Sequence, residues 1–121
     1  MRNRHTKTNP QLVETIDRLK AASRDTGAAL WRDVALRLQR SRSNWANPNL
    51  SRLERHATNG STVVVPGKLL GTGEITGVLT VAAYSVSARA RTKVEAAGGR
   101  VITYSELIDE NPKGSGVLLL G

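Results

Sequence analysis

The chain of 121 residues contains no cysteine, which removes disulfides and thiolate metal sites and fits a reducing compartment. No apolar run approaches the roughly 20 residues that a membrane-spanning helix needs. Residues 1–10 lack the apolar stretch that follows the basic residues of a signal peptide, so the cytoplasm is the expected compartment. Histidine is scarce. His5 and His56 stand alone, with neither H-x-x-x-H nor H-E-x-x-H spacing, and no metal is expected. No Gly-x-Ser-x-Gly elbow exposes a serine as nucleophile. The acids Glu106, Asp109 and Glu110 sit around one short helix and read as a solvated face, not a general acid–base pair.

Glycine is the one suggestive abundance. Gly67, Gly71, Gly73 and Gly77 predict an irregular loop with special backbone angles over 67–77. A Walker loop needs Gly-x-x-x-x-Gly-Lys-Ser/Thr, and here Lys68 follows the first glycine instead. The dinucleotide spacing fails as well, because Gly73 to Gly77 is one residue too long. No cofactor, small-molecule substrate or enzymatic activity is expected.

What the chain does carry is positive charge. Eighteen lysines and arginines face 10 acids, for a net +8. Residues 1–60 hold 12 basic and 5 acidic side chains, net +7, whereas residues 61–121 hold 6 and 5, net +1. Such an excess predicts an acidic partner, and nucleic acid fits better than a membrane surface.

Residues 1–8 read as a basic arm carrying Arg2, Arg4 and Lys7, and residues 9–121 as one domain. Within it, 9–60 is mainly helical and 61–121 mixed α/β. Asn9 and Pro10 cap a helix with Leu12, Ile16 and Leu19 on one face, running to about Arg24 with Gly27 beyond. Leu30, Trp31, Val34, Ala35 and Leu38 form a second stripe, with Trp31 in the core. Residues 41–49 read as a loop, and Asn49 caps a short helix with Leu50 and Leu53. Thr62–Val65 is a β-branched run expected to be a strand buried on both faces. Further strands are expected at 78–84, 101–102 and 117–120. Ser87 caps a helix that Gly98 and Gly99 end, and Ser105 a brief one that Pro112 ends.

Arg37, Arg40, Arg42, Arg52 and Arg55 fall within nineteen residues, with Glu54 the only acid among them. The guanidinium fork grips phosphate with two bonds and stacks on bases. Trp45 lies inside this cluster with two roles open: stacking on an unpaired nucleotide, or packing against Leu50 and Leu53. Arg89 and Lys93 share a helix face with Arg91 round the side, a second expected RNA contact. Lys113 sits in a glycine-flanked turn where backbone amides could approach phosphate. A helix-turn-helix DNA reader over 28–57 is the main rival, but its 41–49 loop is long for that motif's usual turn of about three or four residues.

The stretches Ser41 to Asn44, Asn49 to Leu53, Val64 to Lys68, Ser85 to Arg91, Ala97 to Thr103 and Asn111 to Gly116 together resemble the ribosomal protein eighteen-e family of the large subunit. Asn44 and Lys68 belong to these motifs and join the expected RNA-binding set. The match runs in order from about Asn9 to Gly121, and the Val-Pro-Gly-Lys form resembles the archaeal branch. The resemblance implies an α/β fold of irregular β-β-α turns, with the arm and helices embedded in large-subunit ribosomal RNA. It also implies neighbouring large-subunit proteins as partners, and kinship with bacterial large-subunit protein fifteen. The sum is an α/β chain with a helical, basic amino-terminal half.

Overall fold

A computed structural model describes residues 9–121; the expected arm, with Arg2, Arg4, His5 and Lys7, lies outside them. The Asn9 side chain accepts from the amide of Gln11 and Pro10 takes the first turn of α1 (Pro10–Thr26), as the local chemistry predicts. Gly27, at φ 78°, closes α1 by donating its amide to the Ser23 carbonyl. Only glycine takes this left-handed turn at no steric cost, and the chain reverses into α2 (Ala29–Leu38). Arg42–Asn44 adds one 3-10 turn to the expected loop, and α3 (Leu50–His56) follows, capped by Asn49 onto the amide of Arg52.

Strands β1 (Thr62–Leu69), β2 (Thr80–Val86), β3 (Arg100–Ile102) and β4 (Val117–Leu119) form one all-parallel sheet in the order β3-β2-β1-β4. Helix α4 (Ala88–Ala96) joins β2 to β3, and α5 (Tyr104–Glu110) joins β3 to β4. Alternation along the strands divides the core. Val64, Ala82 and Ile102 face a cluster with α1, α2 and α5 that contains Trp31. Val63, Val65, Val81 and Ala83 face Leu50, Leu53, Ala90 and Val94 on α3 and α4. The continuous Thr62–Val65 run is therefore buried on both faces, as a central parallel strand requires.

Three local expectations need correction. First, β1 runs past Gly67 and Lys68 to Leu69, with the register shifting between Val65 and Lys68. Pro66 has no amide to give the ladder, and the bulge there absorbs it without ending the strand. Second, β2 starts at Thr80, not Val78, because the Val78 amide is already committed to the Asn59 side chain at 2.7 Å. Third, Thr103 caps α5, not Ser105. Thr103 and Glu106 satisfy each other's backbone amides in a capping box, whereas Ser105 has Ile108 three residues on and no acid to reciprocate. Tyr104, next to that cap, donates its hydroxyl to the Val65 carbonyl at 2.5 Å. Its burial pushes the phenol's ionisation well above the ordinary tyrosine range.

The β1–β2 connection contains no helix, though it joins parallel strands. Residues 70–79 cross over as a glycine-rich loop lying against α3 and α4.

Candidate nucleic-acid interface

The carboxyl ends of parallel strands are where open α/β sheets present their binding residues. Here the segment from Arg37 to Arg52 is laid across that edge. Ala46 and Asn49 form isolated parallel bridges to Gly67 and Leu70, and the Leu70 amide donates to the Pro48 carbonyl at 2.9 Å. A Cβ on Gly67 would collide with the Ala46 carbonyl, so glycine at this position permits the close approach. Arg89 arrives from the first turn of α4, its stem over Gly71, where an added Cβ would lie 2.8 Å away. Arg40, Arg42, Asn44, Lys68 and Arg89 are exposed on the segments that meet at this edge, the rim, and Arg52 and Arg55 are exposed on α3, which leads away from it.

Trp45 is the scaffold of this rim. It is 9% exposed, and its indole N–H reaches the carbonyls of Leu38 at 3.2 Å and Arg40 at 3.0 Å, closing the end of α2. Its ring meets Tyr84 edge-to-face at 5.4 Å. The Arg42 guanidinium lies 4.8 Å from the Trp45 ring centroid and 5.6 Å from that of Tyr84. The face that an unpaired base would need is occupied by the protein's own arginine. Nor does Trp45 pack with Leu50 and Leu53, which belong to the cluster on the sheet's other side.

The other expected contacts separate on inspection. Arg37 pairs with Asp33 at 3.1 Å and donates to the Gly121 main-chain oxygen at 2.8 Å, so it ties α2 to the end of the chain. Arg91 faces Glu95 at 3.8 Å. Lys93 turns its ammonium into the glycine loop, onto the carbonyls of Gly71 at 3.1 Å and Gly73 at 2.7 Å and the Glu74 carboxylate at 3.0 Å. Of the three α4 cations, Arg89 alone makes no ion pair among the described residues. Lys113 follows Pro112, whose carbonyl accepts from the Trp31 indole at 2.8 Å. That turn packs near the start of α2, at the far end of the sheet from the rim. Lys20, Arg24 and Arg32 lie outside the expected set, yet they line a cleft between α1 and α2.

The glycine loop is held on its second side by Glu54, which accepts from the Thr76 amide at 3.2 Å and hydroxyl at 2.5 Å. The Thr76 hydroxyl, then its amide, lower the Glu54 pKa below the usual carboxylate range. Because the folded value is the depressed one, the tether is intact near neutral pH and is released as pH falls through that value. The loop is therefore a pinned crossover, not a phosphate cradle. Of its glycines only Gly73, at φ 98°, needs the left-handed region; Gly67 and Gly71 are required by close approach instead.

Lys93→Met should separate structure from binding. It keeps the aliphatic stem but leaves the loop carbonyls without their donor, and is expected to lower stability by about 1–2 kcal/mol. RNA affinity of the folded fraction should change less than about twofold, because the ammonium it removes already faces inward. Urea unfolding and filter binding on the same preparation measure both.

A hollow of about 890 Å³ opens between α1 and the end of α2 beside Arg40 and Arg42. Leu12, Val13, Ile16 and Leu38 contribute its apolar part, and Asp17 is the one carboxylate among its described lining residues. No group of three or more histidines and acids among the described residues is placed to hold a metal ion. No helix among them is long and apolar enough to cross a membrane.

Residues 2–121 match the family model described as ribosomal protein 60S L18 and 50S L18e. The chain is 43% identical over 120 residues to large ribosomal subunit protein eL18 of Methanospirillum hungatei JF-1, covering 99% of each chain. It is 45% identical over 114 residues to the eL18 of Halobacterium salinarum, covering 94% of this chain and 97% of that one. The eL18 of Archaeoglobus fulgidus is 46% identical over 114 residues, with the same coverage of 94% and 97%.

Proposed function

The chain belongs to the family of ribosomal proteins 60S L18 and 50S L18e, structural proteins and not enzymes, and from that premise we propose that it holds large-subunit ribosomal RNA through the arginine rim. As a constituent of the large ribosomal subunit it serves translation in the cytoplasm. The finer statement concerns how RNA is held. Packed RNA helices repel one another through their phosphates, and a folded protein of net +8 lowers that cost locally.

One observation carries the proposal. Arg40, Arg42, Asn44, Arg52, Arg55, Lys68 and Arg89 are exposed, and none of the cations among them pairs with an acid among the described residues. Unpaired arginines fixed on a sheet edge suit recognition of backbone shape, with Asn44 the polar group available for a base or a ribose hydroxyl. Arg2, Arg4 and Lys7 add contacts from the amino-terminal segment. Neighbouring large-subunit proteins complete the set of partners.

The test is a salt titration of binding to a structured large-subunit RNA fragment, with duplex DNA as competitor. Neutralising about six phosphates gives a slope of log affinity on log salt near −4, with the single-strand coefficient of about −0.7 per phosphate. Equal affinity for duplex DNA, or a slope near zero, would remove the rim from consideration.

A further inference from the structure

A second group of cations stands at the opposite end of the α1–α2 hairpin. Lys20, Ser23 and Arg24 come from the last turns of α1, and Arg32 from the beginning of α2. They meet because Gly27 reverses the chain between the helices. These four are the described lining of a cleft of about 150 Å³. No carboxylate lines it, and none of its three cations takes part in an ion pair among the described residues. The start of α2 has no side-chain cap and no acid in its first turn, so its amide dipoles add positive potential there. Lys113 lies at this same end, in the turn whose Gly114 packs on Leu30.

Size and distance decide what the cleft can take. Its volume is below the roughly 300 Å³ of the smallest ordinary ligand pockets, too small for a nucleoside and sufficient for one phosphate group. From Leu12, beside the rim arginines, to Arg24 is twelve residues of helix, about 18 Å at 1.5 Å per residue. That is roughly twice the Debye length of about 8 Å at physiological salt, so the two basic groups act independently.

We propose that the Lys20–Arg24–Arg32 cleft is a second phosphate site, which grips the backbone of an RNA segment distinct from the one at the rim. The protein would then brace two RNA segments against each other. This extends the RNA-binding function proposed above and predicts a stoichiometry that a single interface does not.

The experiment uses the full chain and a labelled 12-nucleotide oligouridylate, with stoichiometry read by native mass spectrometry and sedimentation at low salt. Wild type is expected to bind two oligonucleotides. The variant with Lys20→Ala, Arg24→Ala and Arg32→Ala should bind one, with affinity for the second lower by on the order of 100-fold at 0.1 M salt, from three cations at about 0.7 log units each. A charge-matched control with Arg18→Ala, Arg91→Ala and Arg100→Ala, each paired with an acid in the fold, should still bind two. All three cleft cations have part or all of their side chains in solvent, so circular dichroism should show an intact fold. If wild type binds one oligonucleotide, or if the control loses the second as readily, the second site is overturned. Should polyglutamate fill the cleft while RNA stoichiometry stays at one, the site belongs to an acidic protein partner and the proposal also fails. Failure of the rim reads out differently: alanines at Arg40, Arg42, Arg52 and Arg55 would leave both oligonucleotides bound.

Discussion

Trp45→Ala is expected to cost about 3–5 kcal/mol of folding stability, the range for deleting a buried large aromatic. Against a total of about 5–15 kcal/mol for a typical domain, that loss populates unfolded chain at moderate temperature. Three contributions add up. The cavity opens beside Leu38, the Leu38 and Arg40 carbonyls lose their indole donor, and Arg42 and Tyr84 lose the ring they pack on. Trp45→Phe keeps an aromatic ring under Arg42 and removes the donor, so about 1–2 kcal/mol is expected from the unpaired carbonyls. Urea denaturation gives both values. The same pair of variants tests whether the ring meets RNA. With the ring shielded, the folded Phe variant should bind fragment RNA within about threefold of wild type, whereas losing a base stacked on the indole would cost about 1–3 kcal/mol, roughly 5- to 160-fold. A folded Phe or Ala variant losing more affinity than Arg42→Ala would place a base on the indole after all.

Replacing Arg40, Arg42, Arg52 and Arg55 together by alanine is expected to lower affinity for fragment RNA by on the order of 10²–10³-fold near 0.1 M salt. Four phosphate contacts at about 0.7 log units per decade of salt produce that loss, and the slope should flatten from about −4 to about −1.4. Stability should change little by comparison, because these side chains are exposed and form no ion pair among the described residues. Arg42 is the exception, with about 0.5–1 kcal/mol of cation–π contact to lose. Unchanged binding by a folded quadruple variant would move the interface away from the carboxyl edge of the sheet.

The parts of this fold that are legible in the sequence are those whose physics is local. Asn9, Asn49 and Ser87 announce helix starts because the capping oxygen and the amide that donates to it lie within three residues of each other. The β-branched run at 62–65 announces a doubly covered strand, because three consecutive valines leave no face for water. Thr103 and Glu106 carry an equally local signal, the capping-box spacing, which is obscured by the nearby Ser105. What stays illegible depends on the crossover. Nothing near Lys93 reveals that Gly71 and Gly73 will turn their carbonyls toward it from twenty or more residues away. Nor does Trp45 show that the end of α2, and not RNA, will take its N–H. The basic cluster was visible as a count of charges. Its division into a rim, internal ties and a distant cleft came from where α1, α2 and α4 point. Kinship with the ribosomal family rests on several motifs in register, because charge alone stops at nucleic acid.

The order of strands also bears on contacts between copies of the chain. The two outer strands, Arg100–Ile102 and Val117–Leu119, are three residues each, while the long strands β1 and β2 are interior. Outer strands this short offer another chain few free backbone groups on which to build a continuing sheet. One of them opens with Arg100, whose guanidinium is clasped by both oxygens of Glu110 at 2.6 and 2.9 Å, placing a charged pair at the exposed margin. Net repulsion between copies of a +8 chain acts in the same direction. Short outer strands, a charged pair at the margin and like net charge all oppose edge-to-edge pairing between copies.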